Sequence, residues 1–268
     1  GVPNRSWAAH ARCFAVFPRI VGSFSQLPRG AIMIEKVLLA FSDDGVATVT
    51  LNNPPLNIYD LEMRDGLIEA VTAVRDHPDA RVLVLQTEAK HFSAGADLSE
   101  FGSAESIFHA RRIRWDRDPW LPLLALPIPT LAVLKGFAIG SGMEMAMLCD
   151  LRIAASGTIM GLPETKLGML PAAGGTQSLT RLIGPDRASP LILTGRNIEV
   201  DEAHQLGIVN EIVSPENLQD RVNAISQRLI AMNPKVVANL KRCIFASSDL
   251  PLDLGLKLES ELSQSTDS

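Results

Sequence analysis

The chain is poor in the residues that staple or metallate small folds. Among its 268 residues only Cys13, Cys149 and Cys243 are cysteine, and no two form a spaced pair. That removes any basis for a disulfide framework or a cysteine-based zinc site. The five histidines (His10, His77, His91, His109 and His204) are scattered without metal-ligand spacing. No apolar run approaches the roughly 20 residues of a membrane-spanning helix, so no membrane partner is expected. Lysine is scarce, 7 residues against 18 arginines, and the net charge is -5 with a pI near 5.6. Without a basic stripe, nucleic acid is not expected as a partner.

Acidic residues are missing from the whole opening: none precedes Glu35, while Arg5, Arg12, Arg19 and Arg29 all do. This composition fits a mitochondrial transit segment or an extension upstream of Met33, and residues 1–33 are read as lying outside the fold. The expected location is cytoplasmic, or mitochondrial if that opening is a transit segment. One locally basic run, Arg111 to Arg117 with Trp115 inside it and Trp120 beyond, is either a solvated helix face or a surface contact.

What remains is ordinary for a globular protein, 46% hydrophobic and 21% charged. The length suits one large domain with an appendage, taken as residues 34–230 and 231–268. Val37–Phe41 and Val46–Leu51 flank Asp43-Asp44-Gly45 and read as a hairpin. Leu61 to Arg75 has apolar residues at helical spacing, stopped by His77-Pro78. Val82–Leu85 and Ile128–Leu134 are apolar runs typical of strands buried on both faces. Strands alternating with helices imply an α/β chain with parallel pairing. Helices are expected from Ser178 to Ile183, Pro215 to about Met232, Pro234 to Ala246 and Leu250 to Leu262.

One stretch breaks the pattern. Gly140-Ser141-Gly142 opens a short helix that is apolar on every side except at Glu144. A helix apolar all round is normally buried, and burying an unpaired carboxylate costs several kcal/mol. Glu164 follows twenty positions later, after Leu151–Ala155, the turn Ser156-Gly157 and Thr158–Met160, which read as a hairpin returning to the helix. Two carboxyls sharing a dry pocket have their proton affinities driven apart, giving one base and one acid. The alternative is two glutamates that reach solvent or an arginine such as Arg152. The small residues Ser93-Ala94-Gly95-Ala96-Asp97 form a second glycine-flanked site after a strand, where a backbone N–H can face a cleft.

These motifs together resemble the crotonase superfamily, the enoyl-CoA hydratases and isomerases. The resemblance is carried by Leu51-Asn52-Asn53-Pro54, Phe92–Leu98, Gly140–Glu144, Leu162-Pro163-Glu164 with Lys166-Leu167-Gly168, Pro171–Gln177, Leu193–Gly195 and Ala203–Val209. It spans residues 34–262. It implies a spiral of repeated β-β-α units with a C-terminal helical region, assembling as a homotrimer or a dimer of trimers. The implied substrate is an acyl-coenzyme A thioester of the kind met in fatty-acid β-oxidation, with no metal and no cofactor beyond the coenzyme A it carries. Its carbonyl oxygen would lie between the backbone N–H groups of Ala96 and Ser141. Ala94, Gly95, Asp97, Leu98, Gly140 and Gly142 would line the thioester site. Glu144 would take a proton from water as it attacks C3, and Glu164 would supply one to C2.

The chain departs from that family at several points. Ser141 and Ala172 stand where glycine is commoner, and Pro55 where a lysine often lies near the coenzyme. Relatives usually continue past the end of this chain through another helix and a basic tail. Hydration of an enoyl thioester is the expected reaction. Alternatives are double-bond isomerisation, or hydration or C–C hydrolysis of a branched or cyclic chain. A non-catalytic or RNA-binding relative would call for a lysine-rich helix that this chain lacks.

Overall fold

The computed structural model describes residues 32–34, 36–100, 106 and 118–265. Most of the opening extension and the basic run at 111–117 lie outside the described residues. The first strands are β1 (Ile32–Ile34), β2 (Val37–Phe41) and β3 (Val46–Leu51), paired antiparallel in sequence order. The β2–β3 turn closes on Gly45, whose φ of 96° suits a residue without a Cβ. Helix α1 (Leu61–Asp76) follows; the Asp60 carboxylate caps it by accepting from the Met63 N–H at 2.9 Å. Its buried face carries Met63, Leu67, Ala70, Val71 and Val74, the helical spacing seen in the sequence.

Strands β4 (Val82–Thr87), β5 (Thr130–Leu134), β7 (Leu151–Ala155) and β10 (Glu211–Val213) continue the sheet in parallel, giving the order β1-β2-β3-β4-β5-β7-β10. Side chains along these strands alternate between two apolar layers. Leu83, Leu85, Ala132, Leu134 and Ala154 enter the large core with α1. Val82, Val84, Leu131, Val133, Ile153 and Ala155 pack under Leu218 and Val222. Burial on both faces explains why these strands read as unbroken apolar runs. Each fully buried Leu, Ile or Val contributes about 1.5–3 kcal/mol.

A second sheet, ordered β6-β8-β9, holds the short strands β6 (Phe137–Ile139), β8 (Ile159–Gly161) and β9 (Asn197–Glu199). Here the expected hairpin over 151–160 is corrected. Strand β7 pairs with β5 and β10, while β8 pairs with β6 in parallel and β9 antiparallel. The turn at Ser156-Gly157, with Gly157 at φ 79°, carries the chain from one sheet to the other. That parallel register, Ile139 opposite Gly161, is what brings the 162–164 segment beside Gly140.

The remaining helices are α2 (Trp120–Leu124), α3 (Ser141–Met147), α4 (Gly175–Ile183), α5 (Pro185–Thr194), α6 (Val200–Gln205), α7 (Leu218–Ile230), α8 (Pro234–Ala246) and α9 (Leu252–Gln264). The helix expected from Pro215 begins with a 3₁₀ turn at Pro215–Asn217 before α7. Helices α8 and α9 differ from the rest: Lys241 is the only buried residue on either. Its ammonium reaches the Asp150 carboxylate at 2.8 Å and the Ile128 carbonyl at 3.1 Å, tying the C-terminal helices to the core. No described helix is long and apolar enough to cross a membrane.

Candidate active site

The site begins with Asn57, which sequence reasoning passed over. It is fully buried at φ 48°, a left-handed conformation that asparagine tolerates better than most residues. Its amide donates to the Thr87 hydroxyl (2.6 Å) and to the carbonyls of His91 (2.9 Å) and Phe92 (3.1 Å). The Ser93 hydroxyl returns a bond to the Asn57 carbonyl at 2.7 Å and accepts one from the Gly95 N–H at 3.2 Å. An asparagine at the end of a strand-terminating Asn-Asn-Pro turn was the available signal.

Tyr59 then pairs with Ala96 as a parallel bridge: the Tyr59 N–H donates to Gly95 (2.8 Å) and the Asp97 N–H donates to Tyr59 (2.9 Å). In such a bridge the middle residue, Ala96, turns its own N–H away from Tyr59. Ala94 and Ala96 are half-buried, Asp97 spends its Oδ1 on Ser99, and Leu98 is exposed at the rim.

The 93–97 loop and the start of α3 touch directly. A Cβ placed on Gly95 would lie 3.2 Å from the Ile139 carbonyl oxygen and 3.9 Å from the Gly140 Cα. One placed on Gly142 would strike Ser93 at 2.8 Å, so this glycine is set by close packing between the two loops. Gly140 itself adopts φ 54° and ψ -124°, donates to the Gly161 carbonyl at 2.8 Å and precedes Ser141, the first helical residue. Ser141 and Glu144 are both buried.

Both glutamates gather at this helix. Glu144 lies on its first turn, and its Oε1 accepts the N–H groups of Ala173 (2.9 Å) and Gly175 (2.8 Å). Gly175 has to be glycine, since a Cβ there would meet Glu144 Oε1 at 2.8 Å. Glu164 approaches from the 3₁₀ turn Pro163–Leu167, with its Oε1 2.8 Å from where a Gly140 Cβ would stand. Its Oε2 is a buried oxygen with no hydrogen-bond partner. Burial raises the Glu164 pKa above the usual carboxylate value, opposed by a backbone hydrogen bond. Arg152 pairs with neither glutamate: its guanidinium donates to the carbonyls of Ile208 and Cys149, each at 2.5 Å. Two carboxyls at one helix end, below two small-residue loops, can exchange protons with a group held between them.

A profile described as enoyl-CoA hydratase/isomerase matches residues 42–268. The short-chain-enoyl-CoA hydratase of Clostridium acetobutylicum is 36% identical over 220 residues, covering 81% of this chain and 84% of that one. The human protein described as enoyl-CoA hydratase domain-containing protein 2, mitochondrial, is 36% identical over 250 residues, 90% of this chain and 85% of the relative. Among solved structures, the enoyl-CoA hydratase of Bacillus anthracis superposes with a TM-score of 0.80 at 31% identity, covering 86% of this chain and 90% of that one. The mixed α/β architecture with its C-terminal helices is thus the crotonase fold. The chain belongs to the enoyl-CoA hydratase/isomerase family and is an enzyme of that family.

Proposed function

We propose that the protein hydrates trans-2-enoyl-coenzyme A thioesters. The observation that carries this reading is the meeting of Glu144 and Glu164 at the start of α3, each held differently. The Glu144 carboxylate, aimed by two amides, takes a proton from water while the water oxygen bonds to C3. Glu164, whose burial favours the protonated form, gives its proton to C2. Water is thereby added across the 2,3 bond on one face. The reaction is redox-neutral and calls for no cofactor beyond the coenzyme A of the substrate.

Negative charge passing through the thioester oxygen is met by the N–H groups of Ala96 and Ser141. Ala96 supports this role because its N–H points away from Tyr59. Ser141 supports it because a residue opening a helix has no intrahelical acceptor for its N–H. One such donor is worth about 3 kcal/mol of barrier. Ala94, Gly95, Asp97, Leu98, Gly140 and Gly142 shape the surrounding loops and their rim. Incubation of the protein with crotonyl-coenzyme A tests the reading. A product heavier by one water with loss of enoyl absorbance supports it; an isomer of unchanged mass, or no turnover, overturns it.

The C-terminal helices support assembly into trimers or pairs of trimers. Leu240 is 56%, Ile244 67% and Leu252 78% exposed, an apolar surface out of keeping with a free monomer face. Light scattering should give a mass that is a multiple of three of the 29.0 kDa chain. Ile244→Glu should shift it toward monomer, and a 29.0 kDa wild type would refute the assembly.

A further inference from the structure

The two amides taken to meet the thioester oxygen sit on separate segments, and those segments are joined just before them. Ser93 and Ala138 form a parallel bridge. The Ser93 N–H donates to the Phe137 carbonyl at 2.9 Å, and the Ile139 N–H donates to the Ser93 carbonyl at 3.0 Å. Ala96 and Ser141 each lie three residues past this bridge. Whatever fixes residues 92–93 against 137–139 therefore fixes one donor relative to the other.

Ahead of the bridge the join is made by a side chain that the hydration chemistry does not use. The Phe137 N–H donates to Nδ1 of His91 at 3.2 Å. The two rings stack, with centroids 4.3 Å apart and planes within 7° of parallel. The His91 carbonyl is held in turn by the Asn57 amide at 2.9 Å. Gly136, at φ 61°, makes room for the imidazole, since a Cβ there would strike its Nδ1. A backbone N–H can donate only to an unprotonated ring nitrogen, so this bond assigns the neutral ring's proton to Nε2. A second proton would set one N–H against another and break the bond. Burial, and then the Lys90 ammonium, hold the ring's pKa below the ordinary 6.5. The segments around the ring carry Glu88, Lys90 and Lys135, while Asn57, Gly136 and Phe137 are uncharged.

Resting on the donor pair of the hydratase reading, we propose that neutral His91 is a positioning residue. Through Phe137 it holds β6 so that Ser141 and Ala96 converge on one oxygen, and protonation of the ring uncouples them. It acts through the backbone and not on the substrate. A displacement of about 1 Å at a reacting centre can cost on the order of 10²-fold in rate, so one bond at this join carries weight.

The test measures kcat for crotonyl-coenzyme A hydration from about pH 5 to 8 in the wild type, His91→Asn and His91→Leu. Asparagine sets its Oδ1 near the place of Nδ1 and accepts the same N–H without titrating. The wild type should lose activity in a one-proton step below pH 6.5. His91→Asn should keep most of the neutral rate and move that step to more acid pH. His91→Leu should run about 10- to 100-fold slower across the range, with thioester affinity little changed. A wild-type acid step in His91→Asn, or a wild-type neutral rate in His91→Leu, overturns the proposal. Bound butyryl-coenzyme A labelled with carbon-13 at its carbonyl reports polarisation by the two amides without turnover. Its resonance should shift upfield in His91→Leu and in acid, and stay near wild type in His91→Asn. If crotonyl-coenzyme A is not hydrated but the resonance follows His91 in this way, the hydratase reading fails and the positioning role stands. A resonance indifferent to His91 removes the role whatever the activity. Thermal melts exclude a folding defect, and if His91→Leu fails to fold, the acid step of His91→Asn decides.

Discussion

The two sides of the site hold their carboxyls by opposite means. On the α3 side, Glu144 is 2% exposed and its Oε1 takes two backbone N–H bonds from the 173–175 turn. On the 163–167 side, Glu164 has a buried oxygen without a partner and a pKa raised by burial. Amide donors favour a charged acceptor, whereas a dry and unpartnered oxygen favours the neutral acid. On the hydration reading proposed above, this difference is the basis for taking the well-held carboxyl as the base and the poorly held one as the acid. It also shows that a buried carboxylate can be made tolerable by a loop 29 and 31 positions away in sequence.

The largest effect should come from removing the proton transfers. Glu144→Gln keeps an amide oxygen for the Ala173 and Gly175 N–H groups but cannot act as a base. It should lower kcat by about 10²–10⁴-fold, and Glu164→Gln should do so by a similar factor, with thioester binding retained in both. Steady-state hydration rates and equilibrium binding of a non-reacting acyl thioester measure these separately. Near-full activity in either variant would abolish the division of labour.

Much of this arrangement was legible in sequence, for reasons that differ by element. The runs Val82–Leu85 and Ile128–Leu134 announced strands because both faces of the sheet are covered. The helix at Pro234–Ala246 matches its expected bounds, with Asn233 capping it through the Lys235 and Val236 N–H groups. Glu144 stood out because no other polar group lies in its helix beyond the opening serine. The 151–160 segment misled because a Ser-Gly turn between two short strands looks the same whether the strands pair or part. What parts them is competition from β5 and β6, residues far away in the chain. The 171–175 motif was visible, but its bond to Glu144 was not; only Gly174-Gly175, two adjacent residues lacking a Cβ, hinted at a close approach.

Truncating each side chain sharpens the contrast through stability. Glu144→Ala strips the acceptor from two amides, one of them on the buried Gly175, and leaves a cavity at the helix start. An orphaned buried donor costs about 1–3 kcal/mol, so the denaturant midpoint should fall, with an unchanged m-value. Glu164→Ala takes an acceptor from only one backbone N–H, its own, against two for Glu144, and should cost less. Equal losses would mean that the two sides are held alike.

The smallest effect is the most discriminating, because its sign reports which form of Glu164 the fold favours. The Glu164 carboxyl is raised from 4.5 by burial, so the folded protein binds its proton more tightly than the unfolded chain does. Its contribution to stability is then greatest at acid pH. It declines as pH rises from about the ordinary carboxylate value through the raised one, above which it is constant and unfavourable. Glu164→Gln removes this penalty: its melting temperature should exceed that of the wild type at neutral pH, and the gain should vanish toward pH 4. Turnover should follow the same titration, since wild-type kcat falls as Glu164 loses its proton on the alkaline side. Melting curves of the wild type and Glu164→Gln, taken from acid to neutral pH, read this directly. A variant destabilised at neutral pH would show that the buried oxygen of Glu164 is held by a favourable contact to its charged form, reversing the assignment of acid and base.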